Sequence, residues 1–140
     1  MAANQTLAIL KPDSVRKQNT GKILQMILEG GFSLRGMKLL RLDKKQAEKF
    51  YAIHKEKPFF ASLIEFMTSG PIVTVALAKE NAVEEFRKLI GATDPAKAEE
   101  GTLRKLFAEN VEYNAVHGSD SDENAEEEIN FFFDDFELVD

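Results

Sequence analysis

Residues 114–120 read Asn-Ala-Val-His-Gly-Ser-Asp. His117 is one of only 2 histidines in the chain, and it closes a short apolar run just before a glycine and a Ser-Asp helix-start signal. A strand-to-helix junction exposes a side chain on rigid support, with backbone N–H groups nearby that suit a phosphate. A neutral imidazole is a nucleophile near neutrality, because its unperturbed pKa is about 6.5. It can take a phosphoryl group and pass it on, dividing one transfer into two easier steps. One ring nitrogen must then face the substrate while an acceptor holds the other. The acidic stretch that follows offers Glu126, Glu127 and Glu128. Ile129 belongs to the apolar face of that stretch, so Glu128 lies at its border and is the expected partner. The default reading of a lone histidine is structural. Gly118 and Ser119 weigh against it, because they permit close approach and offer hydrogen bonds.

Phosphoryl transfer also needs cations and donors around the transferring group. Lys11, Arg87 and Arg104 are candidates, and Thr93 and Asn114 can add hydrogen bonds. Taken singly, each basic residue is by default a solvated surface charge, as Lys22, Arg35, Lys38 and Arg41 are. Spacing alone does not separate the two groups. A nucleobase needs an apolar shelf, and Phe59-Phe60 at a helix start can supply one. Adjacent aromatics on a helix point different ways, so one of them is expected in the core. Asp120, Asp122 and Glu123 fall in the first turn of the last helix, where they complement its dipole. No hard-cation loop such as an EF-hand is present, so a metal is expected to arrive with nucleotide phosphates.

The elements that must position these groups follow from periodicity. Thr6–Leu10 reads as a buried strand stopped by Lys11-Pro12-Asp13. Gly21–Glu29 has apolar residues at the helical period and ends at Gly30-Gly31. Phe32–Leu42 alternates as a long strand with one exposed face. Lys44–Lys55 reads as a helix with Ala47, Phe50, Tyr51 and His54 on one side, broken by Pro58. Phe59–Met67 is a second helix, and Ile72–Ala78 is a β-branched central strand. Asn81 is expected to cap the helix that runs through Leu89-Ile90. Gly91–Gly101 is a long loop, of the kind that tends to be functional. Thr102–Glu109 reads as a short helix and Val111–Val116 as a strand. Asp122–Phe133 reads as a helix with Ala125, Ile129, Phe132 and Phe136 on its apolar face. The order gives an α+β, ferredoxin-like βαββαβ arrangement: a four-stranded antiparallel sheet with helices on one face and additional helices. One face is expected to stay open for a site or a subunit contact. No internal repeat or interdomain linker is found.

At 140 residues, 44% hydrophobic and 30% charged, the chain is expected to form a single domain over 1–140. It has no cysteine, which excludes disulfides and cysteine-rich metal sites and makes a reducing cytoplasm the expected location. No run is apolar enough for a membrane helix, and the N-terminus lacks a signal-peptide pattern. The net charge of −6 is uneven. Residues 119–140 hold 10 acids and no Lys or Arg, while the first 118 residues hold the other 14 acids against all 18 bases, a balance of +4. A mildly basic body suits a phosphorylated small molecule. Long nucleic acid is disfavoured, because the tail repels phosphates.

Several separate motifs, in order along essentially the whole chain, resemble those of nucleoside diphosphate kinases. Asn114 to Asp120 is similar to that family's active-site signature, and Thr6 to Asp13 to its opening strand. Tyr51, His54 and Phe59-Phe60 resemble its nucleotide-facing helical hairpin. Gly70-Pro71, Gly91 to Pro95 and Gly101 to Arg104 also match in type and place. The resemblance implies ping-pong transfer of a γ-phosphate from ATP or another triphosphate to a nucleoside diphosphate, through phosphohistidine at His117. It implies that Glu128 orients the ring, that Ser119 bonds to Glu128, and that Lys11, Arg87, Thr93 and Arg104 hold phosphates. Tyr51 and His54 would line the phosphate site, Tyr51 near the transferring group. Lys11 and Asn114 would also contact the sugar hydroxyls. Phe59 would stack on the base, with Leu63 and Val111 completing an apolar slot. Mg²⁺ would bridge the β and γ phosphates, and the assembly would be a homo-oligomer, tetramer or hexamer. Glu100 departs from the Pro that many members have before Gly-Thr, which bears on loop rigidity rather than chemistry. The chain ends soon after Phe136, so an assembly relying on a long C-terminal extension is not expected.

Two rival readings carry their own signatures. An RNA-binding domain on the same sheet shows exposed aromatics in its central strands, and Thr6–Leu10 and Ile72–Ala78 have none. A non-catalytic scaffold would have lost competent residue types at the carried-over positions, and all are retained.

Overall fold

The computed structural model describes residues 4–139. Strand β1 (Gln5–Leu10) ends at Lys11, and Pro12 then opens the short helix α1 (Pro12–Arg16). The sequence reading had Lys11-Pro12-Asp13 only as a stop. Proline at the first helical position is pre-organised in φ and has no N–H to leave unpaired, so the same residue ends one element and starts the next. Helix α2 (Thr20–Glu29), strand β2 (Ser33–Leu40), helix α3 (Lys44–Phe50), helix α4 (Phe60–Met67), strand β3 (Ile72–Ala78) and helix α5 (Ala82–Ile90) follow. Helix α6 (Leu103–Phe107), strand β4 (Val116–Gly118) and helix α7 (Asp122–Phe132) complete the order.

The sheet runs β2-β3-β1-β4, and every neighbouring pair is antiparallel. This is the ferredoxin-like arrangement expected from the sequence. Alternation along the two inner strands divides the interior into two layers. Ala8, Leu10, Val73, Val75 and Leu77 face one side, where they meet Ile23 and Ile27 of α2 and Phe86 and Ile90 of α5. Leu7, Ile9, Ile72 and Ala76 face the other, where they meet Ala47, Ile64, Phe66, Ile129 and Phe132 of α3, α4 and α7. The crossover helices therefore pack on one face as expected, but the additional helices cover most of the other, which was expected to stay open. Phe86 is fully buried, and burial of such a side chain contributes about 2–3 kcal/mol.

Other local departures have identifiable causes. The helix expected over 44–55 stops at Phe50, where Tyr51 turns the chain into a 3₁₀ turn over Ala52–His54. Asn81 adopts a left-handed conformation (φ 55°) and makes no side-chain cap bond; it turns the chain out of β3 rather than capping α5. The strand expected over 111–116 is displaced to Val116–Gly118. Asn110 Oδ1 accepts the N–H groups of Glu112 (3.0 Å) and Tyr113 (2.8 Å), a side-chain turn that outcompetes the local β-propensity. The cap of α7 is Ser121, not Ser119: its side chain accepts the N–H of Asn124. Asp120 therefore precedes the helix. Phe136 is 86% exposed, because α7 ends at Phe132 and the helical period no longer applies. Phe133 takes the buried place instead.

Candidate active site

His117 is the central residue of β4 and pairs with Ile9 of β1. Its flanking residues Val116 and Gly118 face α2 and α5, so the histidine faces the α3–α4–α7 side. A Cβ on Gly118 would lie 2.8 Å from Phe86 Cδ2 and 3.1 Å from Ile90 Cδ1. The glycine thus makes room for α5. The close approach expected at this glycine is that of the α5 side chains.

Three residues behind the ring fix its orientation. His117 Nε2 lies 2.8 Å from Glu128 Oε1. The Ser119 hydroxyl donates to the same oxygen at 2.7 Å and accepts the Leu7 N–H at 3.1 Å. Ser119 is fully buried, so the relay from the centre of the sheet to the ring is held away from water. A carboxylate only accepts, so the proton of a neutral ring sits on Nε2. That leaves a lone pair on Nδ1, which has no protein partner among the described residues. Glu128, rather than Glu126 or Glu127, faces the sheet, as the border argument required.

A cleft of about 490 Å³ opens at His117, and Lys11, Tyr51, His54, Phe59, Leu63, Thr93, Val111 and Asn114 line it. Nine of the expected residues, His117 included, are thus gathered around one space. Phe59 is half-exposed, whereas Phe60 packs against the second core layer; one aromatic of the pair is free, as argued. Tyr51 is buried, and its hydroxyl has no hydrogen-bond partner. Burial, and then the nearby Glu128 charge, raise its pKa above the usual phenolic value. Its ring stands edge-on to His117, with centroids 6.4 Å apart. At the cleft wall the Tyr51 hydroxyl is free to donate to a polar group.

Lys11 is buried, and its Nζ donates to Asn114 Oδ1 at 2.7 Å. Burial, reinforced by Arg104, lowers its pKa to about 8, while Asp13 acts in the opposite direction. Asp13 was missed by the sequence reading. Burial raises its pKa, and its Oδ2 accepts the Ala115 N–H at 3.1 Å. The Ser14 hydroxyl and the Lys11 N–H both donate to the Ala115 carbonyl. These bonds hold Ala115 in a left-handed conformation (φ 73°). Residues three apart in a strand point to opposite faces; the reversal at Ala115 brings Asn114 and His117 to the same cleft. The only sequence signal for this was Asp13 following Lys11-Pro12.

Two expected phosphate ligands stand outside the cleft lining. Arg104 is buried and donates to the carbonyls of Gly91 (3.1 Å), Asn114 (3.4 Å) and Val116 (2.9 Å). It clamps the loop start to the segment bearing His117. Burial, and then Arg87, lower its pKa to about 10. Arg87 lines two neighbouring grooves. Gly91 (φ 86°) starts the loop, and a Cβ there would lie 2.5 Å from Thr102 Oγ1. Arg104 lies close enough to Lys11, and Arg87 to Arg104, for each to disfavour its neighbour's charge, and cations gathered in this way set up a positive potential beside the cleft.

A histidine with one nitrogen fixed and the other free, beside a potential of that sign, defines a nucleophilic group-transfer site for an anionic ligand. The sequence model of the family described as nucleoside diphosphate kinase matches residues 4–138. The nucleoside diphosphate kinase of Salinibacter ruber is 53% identical over 139 residues, covering 99% of this chain and 98% of that one. The solved nucleoside diphosphate kinase of Aquifex aeolicus superposes with a TM-score of 0.95 at 40% identity, covering 97% of this chain and 99% of that one. The Halobacterium salinarum nucleoside diphosphate kinase, solved in complex with CDP, gives 0.94 at 38% identity, covering 99% and 92%. The chain belongs to the nucleoside diphosphate kinase family.

Proposed function

We propose that this chain moves the γ-phosphate of a nucleoside triphosphate to a nucleoside diphosphate by a ping-pong route through His117. The observation that carries the reading is the single free ring nitrogen, Nδ1, at the cleft while Glu128 holds Nε2. The Nδ1 lone pair attacks the γ-phosphorus, the bond to the β–γ bridging oxygen breaks, and the diphosphate leaves with that electron pair. A second diphosphate then attacks the phosphohistidine through a terminal oxygen of its own β-phosphate and restores the imidazole. Glu128 stabilises the positive charge that the ring gains, and Ser119 keeps the carboxylate in place. Lys11 and the Tyr51 hydroxyl face the transferring group. Thr93 and His54 add contacts to the phosphates, and Asn114 and Lys11 reach the sugar hydroxyls. Arg87 and Arg104 supply the flanking potential. Phe59, Leu63 and Val111 form the slot for the base.

Among the described residues, no group of three His, Cys, Asp or Glu is placed to hold a metal. A cation such as Mg²⁺ would be held by the nucleotide phosphates and would supply charge neutralisation there. The reading takes residues 1–140 as one domain and places the protein in the cytoplasm, in keeping with the absence of cysteine. No helix among the described residues is long and apolar enough to cross a membrane. Exposed Met37 and Leu39 on the sheet-edge strand β2, with exposed Phe136 and Val139, support self-association into a tetramer or hexamer. Light scattering on the purified chain measures that state.

The test is incubation with γ-labelled ATP. Wild-type protein is expected to give an acid-labile, base-stable phosphoprotein that a nucleoside diphosphate discharges, and His117→Ala to give none while keeping its fold. An unlabelled wild type, or a fully labelled His117→Ala, overturns the reading.

A further inference from the structure

The base end of the cleft carries two polar side chains that the roles above do not use. Ser62 on α4 and Glu112 in the 110–113 turn line it beside Leu63 and Val111. The Ser62 hydroxyl donates to Glu112 Oε1. The same two residues also line the adjoining groove, so the pair forms the wall between the two spaces. The Glu112 backbone is itself fixed, because its N–H donates to Asn110 Oδ1 at 3.0 Å. A carboxylate offers about four acceptor positions, and the hydroxyl takes one. Oε2 has no partner among the described residues.

A base lying on Phe59 turns one edge toward this wall. Guanine carries N1–H and N2–H₂ side by side, two adjacent donors that match the two oxygens of a carboxylate. Adenine sets one donor beside the N1 acceptor, and cytosine one donor beside the N3 acceptor. Uracil has one N–H between two carbonyls. Each of these three directs a lone pair at the carboxylate, which repels.

We propose that Glu112, steadied by Ser62, is a specificity-determining residue that favours guanine nucleotides over the others in this cleft. The inference rests on the cleft being the nucleotide site described under the proposed function. Both side chains are exposed to water, so the preference is modest, about three- to tenfold for charge-assisted bonds at an open rim.

The experiment compares GDP, ADP and CDP with wild type, Glu112→Gln, Glu112→Ala and Ser62→Ala. Dissociation constants come from calorimetry, and kcat/KM from phosphate transfer to each diphosphate. Wild type is expected to favour GDP in both. Glu112→Ala is expected to bring the GDP-to-ADP ratio close to one, and Glu112→Gln to lower it further, since an amide complements the donor–acceptor edge of adenine. Ser62→Ala is expected to fall between wild type and Glu112→Ala. A purely structural role for Glu112 would weaken all three nucleotides alike and leave the ratio unchanged, which overturns the inference. Equal wild-type binding of GDP and ADP also overturns it. A guanine preference in binding without any transfer overturns the kinase reading and supports the specificity of Glu112. Failure of every nucleotide to bind overturns both.

Discussion

Glu128→Gln keeps the shape of the side chain and removes its charge, which isolates what the carboxylate does for His117. The contact to Nε2 is 2.8 Å, and each side chain is 18% exposed, so screening by water is limited. A charge-assisted bond in such surroundings contributes about 1.5–3 kcal/mol, and more as the ring becomes cationic during transfer. The amide can also turn its NH₂ toward Nε2, which moves the ring proton to Nδ1 and removes the attacking lone pair. Ser119 donates to Oε1 at 2.7 Å and opposes that rotation, so the tautomer effect adds about 1 kcal/mol rather than a full block. The sum, about 2.5–4 kcal/mol in the barrier, lowers the rate of phosphohistidine formation roughly 70- to 900-fold. The chain has no tryptophan, so rapid quench with γ-labelled ATP is the suitable assay, with circular dichroism to verify the fold. A Glu128→Gln protein that acquires acid-labile label at the wild-type rate refutes the reasoning.

Ser119→Ala separates stability from chemistry. It leaves the buried Leu7 N–H unpaired and should cost about 2–3 kcal/mol, a fall of roughly 6–12 °C in Tm, while transfer falls less than in Glu128→Gln because the Nε2 contact survives. Thermal melting and rapid quench on both variants check the order. Lys11 links pH to both properties in opposite senses. Its folded pKa of about 8 lies below the ordinary 10.5, so the unfolded chain holds more protons between those values. Its contribution to stability therefore rises from about pH 8 to 10.5. Nucleotide affinity falls over the same range as the cation is lost. Calorimetry and melting on wild type and Lys11→Met test this, since the variant should lose both dependences. Gly118→Ala forces a methyl to within 2.8 Å of Phe86, an overpacking expected to cost about 1–3 kcal/mol; an unchanged Tm contradicts that placement.

The fold was legible where burial and periodicity agreed. Ile72–Ala78 was found to the residue, because a buried β-branched run allows few alternatives. Boundaries were lost where side chains compete for the backbone. Asn110 captures two N–H groups and abolishes the strand expected from Val111, and Tyr51 ends α3 by burying its ring. The relay was half legible. Glu128 followed from the apolar border of α7. Ser119 was assigned to Glu128 only through the family resemblance, and its bond to Leu7 spans 112 residues, a separation that local pattern does not reveal. Arg104 carried the signature of a phosphate ligand, and in this structure three of its five N–H donors are taken by backbone carbonyls. A residue's type does not say which acceptors the fold will bring within its reach.

The two walls of the cleft are attached to the molecule in different ways. The relay behind His117 ends on the fully buried Leu7 amide, in a strand that pairs with β3 at that residue. Such an amide exchanges its hydrogen only when the buried Ser119 hydroxyl leaves it, so the histidine's orientation is held by a contact of high local stability. The facing wall is the α3–α4 hairpin, which presents Phe59 and Leu63. Among the described residues, no backbone hydrogen bond joins residues 51–64 to the sheet. That wall opens at lower free energy than the one it faces. A mild perturbation that loosens the grip on a base therefore leaves the nucleophile seated, and the protein loses affinity before it loses its chemistry.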